Sequence, residues 1–185
     1  RQQPPATGHS HEHIDLALII HALPANSSDN GLILLTKQQP VAIDLRRIIV
    51  AMNNASEIER IADFATNICK SVIRSTGPLS FVDLNDVQLM IQKCREMVLA
   101  ALASYEQENE DLATEVIALD EEVNQLEVQL ISQLVKTYGN PEVEPFDLVQ
   151  MILMIRYIER MGDHATNIAE NTFYLIKGVH FQGKS

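Results

Sequence analysis

The sequence predicts an all-α protein, and three observations carry that prediction. The 185 residues are 46% apolar but only 5% aromatic, with no Trp, so aliphatic side chains must fill the core. That composition favours helices packed by aliphatic ridges over a β-sandwich. Long stretches run without Pro or Gly and end at clusters of both. The phrase IERIADFATNIC at Ile58–Cys69 returns as IERMGDHATNIA at Ile158–Ala169, with eight of twelve positions identical. A period of one hundred residues is too long for a solenoid unit and implies a duplicated helical subdomain.

Residues 1–40 read as irregular. RQQPPATG carries two adjacent prolines and a glycine, the signature of a disordered start. His9, His11 and His13 alternate, a spacing that suits a linker better than a metal site. DLALIIHAL from Asp15 looks like a short apolar helix, PANSSDNG breaks it, and GLILLTKQQ looks like the last turns of another. From Val41 to Ser75 neither Pro nor Gly occurs; Pro40 marks the start and Thr76-Gly77-Pro78 the end of one long helix. Ile48, Met52, Ala55, Ile58, Ala62, Ala65 and Cys69 give it an apolar stripe. Asp83 or Asn85 caps a second helix running to about residue 107. A third spans about 110–138 and stops at Gly139-Asn140-Pro141; a fourth starts near Pro145 and ends at Gly178. Helices of this length on short turns are expected to lie antiparallel.

The formal net charge of −11 repels phosphate backbones, which excludes nucleic acid as an expected partner and favours multivalent cations or a basic protein surface. Cys69 and Cys94 read as small core residues of a reducing compartment. No apolar run is long enough to span a membrane, and residues 1–13 lack the apolar stretch of a signal peptide.

The repeated phrase carries the chemistry. Glu59 and Asp63 stand four apart on one helical face, with Asn67 one turn on; Glu159, Asp163 and Asn167 reproduce the pattern. Two carboxylates at that spacing repel, at about 0.2–0.5 kcal/mol in a helix. A bound cation offsets the repulsion, and carboxylate and amide oxygens suit Mg²⁺, Mn²⁺, Ca²⁺ or iron. The alternative is a solvated face ion-paired through Arg60 and Arg160. Asp120 and Asn124 form a further such pair, with Glu127 near the same side, on the helix expected to face Glu159 and Asp163. His164 has Phe64 as its counterpart, so the repeat does not demand histidine there. Met151, Met154 and Met161 read as core filling. The Glu-x-x-His pair of bundle di-iron enzymes is absent, since Gly162 follows Glu159 at that spacing. Walker, nucleophile-elbow and dinucleotide-binding motifs are absent too, so no enzymatic activity is expected.

QPVAIDLRRIIVAMNNASEIERIADFATNI from Gln39 and RYIERMGDHATNIAENTFYLIKG from Arg156 resemble the two halves of PhoU proteins. DLATEVIALDEEVNQLE from Asp111 is similar to the middle helix of a PhoU repeat. The resemblance covers about 38–180. It implies two pseudo-repeated antiparallel three-helix bundles, with 1–40 holding remnants of first-bundle helices, 41–79 the last helix of the first repeat and 80–185 the second repeat. A full first bundle needs two helices before Gln39-Pro40-Val41, and residues 1–38 are too short and broken for them, so that bundle is expected to be incomplete or poorly ordered.

The resemblance further implies a non-enzymatic cytoplasmic regulator of inorganic phosphate uptake that represses phosphate-starvation signalling. Its implied partners are the ATPase subunit of the phosphate ABC transporter, a membrane sensor histidine kinase and a second copy of itself as a dimer, without membrane insertion of its own. It implies multivalent metal ions (iron, zinc, manganese or magnesium) on Glu59 and Asp63 and on Glu159, Asp163 and Asp120. Asn67, Asn167 and Asn124 are its additional or supporting ligands, although Asn124 stands where many members carry Asp. The readings of other classes are a histidine phosphotransfer bundle using His164, a carboxylate-bridged metal oxygenase, and a structural bundle with unoccupied acidic faces.

Overall fold

The computed structural model describes residues 42–77, 79 and 81–179. The expectations for residues 1–41, including the histidine run and the two apolar stretches, lie outside the described residues. Among those described there are four helices and no strand: α1 Ala42–Arg74, α2 Leu84–Glu106, α3 Glu110–Lys136 and α4 Pro145–Lys177. The ends fall where the sequence places its stop signals. Asp83 caps α2 by accepting from Asn85 N–H at 2.9 Å, and Asn109 caps α3 by accepting from Asp111 and Leu112. Pro145 opens α4, and Gly178, at φ 73°, closes it in the left-handed conformation that glycine adopts without penalty.

Helices α2, α3 and α4 form a three-helix bundle. Each presents an apolar line at alternating four- and three-residue steps. Those lines are Met90, Cys94, Met97 and Ala101 on α2; Ala113, Val116, Val123, Leu130 and Leu134 on α3; and Met151, Ile155, Ile158, Gly162, Ala165 and Ala169 on α4. Cross-helix pairs fix the directions. Lys93–Glu122 and Gln133–Asp86 make α3 antiparallel to α2, and Cys94–Ile158 with Ser104–Thr172 make α4 parallel to α2. Gly162 sits where the three helices come closest: a β-carbon there would lie 3.5 Å from the Met97 sulfur and 3.7 Å from Val123.

Helix α1 packs against α4, antiparallel and outside that bundle. Its contact line shares only part of the apolar stripe of the sequence: Ile58 packs against the core, with Ile61 and Ile68 beside it. Ala62 and Cys69 of that stripe are exposed, and Ile48, Met52 and Ala55 only partly covered. The line facing α4 runs instead through Val50, Asn54, Glu57, Phe64 and Ser71. The helix carries two three-and-four-spaced lines, and hydrophobicity favoured the other. Cys69 is thus not a core residue; Cys94 is, with its thiol donating to the Ile158 carbonyl and burial pushing it up to about 12. Asp147, buried in the first turn of α4, ties down the end of α1 by accepting from Thr76 N–H, the Thr76 hydroxyl and Gly77 N–H at 2.8, 3.0 and 3.1 Å.

The Gly162 environment sets a testable limit. Gly162→Ala adds a methyl at ordinary contact distance and removes a helical glycine, so it is expected to raise stability by about 0.5–1 kcal/mol. Gly162→Leu overpacks the Met97–Val123 gap and is expected to cost about 1–3 kcal/mol. Thermal and denaturant melts of the two variants against wild type check both signs.

Candidate metal centre between α3 and α4

The core-facing line of α3 is not wholly apolar. Asp120 and Glu127 occupy positions on it, between Val116, Val123 and Leu130, and Glu127 is buried. On α4 the line displaced by one residue from the core carries Arg156, Glu159, Asp163 and Thr166, again at three- and four-residue steps. Packing α3 on α4 therefore brings four carboxylates into one seam. Asp120 sits beside Asp163 and accepts from Thr166 at 3.3 Å and from Asn124 at 3.1 Å. Glu127 accepts a short hydrogen bond from Arg156.

Burial and crowding act in the same direction here. Burial first, then the Asp163 charge, holds the Asp120 carboxyl above the ordinary carboxylate range. Burial first, then Asp163 and Glu127, does the same to Glu159. Two arginines answer the negative charge at the rim. Arg156 lies 3.9 Å from Glu159, and Arg160 lies 3.8 Å from Glu159 and 3.4 Å from Asp163. None of these reaches Glu159 Oε2 as a hydrogen bond, so that buried oxygen has ion-pair neighbours but no hydrogen bond. Among the described residues no three His, Cys, Asp or Glu side chains are gathered ready to hold an ion. The seam nevertheless fits a hard cation in its chemistry: an all-oxygen donor set, partly buried, with one unsatisfied acceptor.

The other expected ligands are distributed differently. Glu59 and Asp63 are exposed, neither bonds a described residue, and no third ligand joins them among those residues. Asn67 accepts from Lys70 at 3.5 Å on the same exposed helix. Asn167 turns away from the seam and donates to Glu57 on α1 at 3.0 Å. The reason is helical pitch: eight residues after Glu159 overshoot two turns by about 80°. Seven residues nearly close them, which is why Thr166 reaches Asp120. Sequence reasoning passed over Thr166, left Glu127 outside the ligand set and did not consider Arg156; the seven-residue step from Asp120 to Glu127 was the available signal. It also passed over Glu57. That carboxylate meets His164 Nδ1, whose ring stacks on Phe64 with centroids 5.6 Å apart. His164 is thus a packing residue of the α1–α4 seam, and that nitrogen is not offered to a phosphoryl donor.

The α1–α4 contacts obey the repeat. Glu57 meets His164, and Phe64 meets Tyr157 at 5.8 Å, pairs that interchange when one hundred is added to or subtracted from each number. The two phrases face each other across a local two-fold axis. The PhoU domain model matches residues 9–72 and 87–172. The chain belongs to the PhoU family. Its relatives include a phosphate-specific transport system accessory protein PhoU homolog of Clostridium acetobutylicum, 32% identical over 78% of this chain and 67% of that one. The homolog of Pseudomonas aeruginosa is 31% identical over 86% of this chain and 66% of its own length. The chain thus spans about six-tenths to two-thirds of the curated PhoU relatives it matches. The crystal structure of PhoU from Pseudomonas aeruginosa superposes with a TM-score of 0.77 at 27% identity, covering 89% of this chain and 84% of that one. PhoU from Streptococcus pneumoniae shares the fold, with a TM-score of 0.76 at 23% identity over 90% and 81% of the two chains.

The raised carboxyls give a signed pH dependence. A carboxyl that holds its proton more tightly folded than unfolded costs stability when it ionises. The penalty is absent below the ordinary carboxylate pKa of about 4, grows as pH rises through the raised value and is full above it. Glu159→Gln removes one such penalty. In chelator-treated protein it is expected to raise stability at pH 7–8 by up to about 1 kcal/mol. The gain should vanish toward pH 4. Melting curves of both proteins across that range check it.

Proposed function

We propose that this chain serves as a non-enzymatic accessory regulator of phosphate-specific transport and binds a multivalent cation in the α3–α4 seam. The regulatory reading is supported by family membership and by the function that its relatives' names carry. The cation reading is supported by the buried Glu159 oxygen, which lacks a hydrogen bond among four carboxylates. Glu159 and Asp163 with Asp120 would hold the ion, Glu127 would border it, and Thr166 and Asn124 would orient Asp120. The ion, whether iron, zinc, manganese or magnesium, would supply positive charge that ties two mutually repelling helices together.

The role as adaptor follows from the same reading. Its partners would be the ATPase subunit of the phosphate transporter and a sensor histidine kinase, met at the cytoplasmic side, with the protein acting as a dimer. No helix among the described residues is long and apolar enough to cross a membrane, so these partners would provide contact with it.

Two measurements test the proposal. Elemental analysis of tag-free protein purified without chelator is expected to find stoichiometric metal in wild type and none in Glu159→Ala/Asp163→Ala. Metal-free wild type would refute the cation reading. In a bacterium lacking its own PhoU, the chain is expected to restore repression of a phosphate-starvation reporter in phosphate-rich medium; a reporter left fully active would refute the regulatory reading.

A further inference from the structure

The seam contains its own substitute for an ion. Glu127 and Glu159 are held by the bundle, with side chains only 12% and 13% exposed, whereas Arg156 and Arg160 approach from solvent at 45% and 51%. The acids lie inside the seam and the bases reach it from its solvent side. Arg156 is the more deeply engaged of the two: it hydrogen-bonds Glu127 across the seam and lies 3.9 Å from Glu159 one turn along its own helix, so one guanidinium touches both carboxylates. A multivalent ion that took up the Glu159 oxygen beside Glu127 would need the same space and would repel the same charge.

We propose that Arg156 is an internal counter-cation that competes with metal, so that an ion enters the seam only as the guanidinium leaves it. The proposal rests on the cation reading above and adds its regulation: occupancy moves a positive side chain from the seam into solvent, altering the surface a partner meets. Two features of the chain support it. The guanidinium has water to move into, which a buried lysine would lack. The arginine is also not part of the repeat: Ser56 stands at the equivalent place on α1, while Arg60 matches Arg160. Among the described residues, Arg156 thus stands where a facing helix supplies Asp120 and Glu127.

Mn²⁺ titration of the chelator-treated chain by calorimetry, with melting curves of the ion-free proteins, tests this. Arg156→Met is expected to bind Mn²⁺ at least about tenfold more tightly than wild type, because a like charge has gone. Its ion-free form is expected to melt several degrees lower, because Glu127 loses its partner. Arg156→Lys keeps the charge and is expected to bind as wild type does. Lys93→Met, which breaks the Lys93–Glu122 pair on the α2–α3 side, is expected to leave Mn²⁺ affinity unchanged. Arg156→Gln replaces Arg156→Met if the latter fails to fold. Unchanged or weaker affinity without the charge overturns the exchange, even where Glu159→Ala/Asp163→Ala confirms the metal site. If neither wild type nor the Arg156 variants take up Mn²⁺, the exchange is overturned, and elemental analysis of untreated protein decides the cation reading separately. A purely structural role for Arg156 lowers the melting temperature but does not raise affinity.

Discussion

The structure turns on one electrostatic constraint: the α3–α4 interface places acids where a helical bundle normally buries aliphatic side chains. Asp120 and Glu127 lie on the same line as Val116, Val123 and Leu130, so α3 cannot cover its apolar face without also covering carboxylates. Burying an unpaired carboxylate costs several kcal/mol, more than one aliphatic contact returns. Something positive must therefore stand in the seam whenever the bundle is closed. Arg156 and Arg160 do so from the solvent side, incompletely, since Glu159 Oε2 remains without a hydrogen bond. The other groups are arranged around that shortfall: Thr166 and Asn124 each donate to Asp120, which lowers the cost of its charge.

The second interface of α4 solves a different problem with the same phrase. Across the local two-fold axis, α1 and α4 offer each other a mixed line: Phe64 against Tyr157 and His164, Asn54 against Asn171, Glu57 against His164 and Asn167. Polar pairs in such a line specify register, because sliding one helix by a turn would orphan every one of them. Asp147 fixes the end of the same pairing through its three donors on Thr76 and Gly77. One short phrase thus supplies an acidic side facing α3, Glu159 and Asp163, and a two-fold side, His164 and Asn167. The three- and four-residue steps of a helix keep the two apart.

These relationships divide cleanly into what a single helix reveals and what only a pair of helices reveals. Helix ends were legible to within a residue or two because Pro145, Gly178, Asp83 and the Gly139 turn act locally. The pairing of Glu159 with Asp163 was legible for the same reason. The face of α1 was not: two lines with similar spacing compete on it, and the more hydrophobic one is covered only in part. Asn167 was read as continuing the acidic face because four-residue steps look periodic over one turn; over two turns the drift carries it to α1. Arg156 and Glu57 carry no signal in their own helices at all. Each acquires its role from a residue on another helix, Glu127 and His164 respectively.

The same constraint bears on what so awkward an interface would serve under the proposed regulatory reading. An apolar seam would be more stable, since replacing buried ion pairs with hydrophobic residues is often neutral or favourable by about 1–4 kcal/mol. It would also be indifferent to its surroundings. On the proposed exchange, a seam satisfied only partly by exposed arginines would have two arrangements, one internal and one ion-bound. A ligand shifts such a balance by its own differential affinity, and a small gap lets an ordinary concentration of ion suffice. The stability forgone at Asp120, Glu127 and Glu159 is the condition for response. On that argument the acidic positions in the core line of α3 are what distinguish this bundle from a purely structural one.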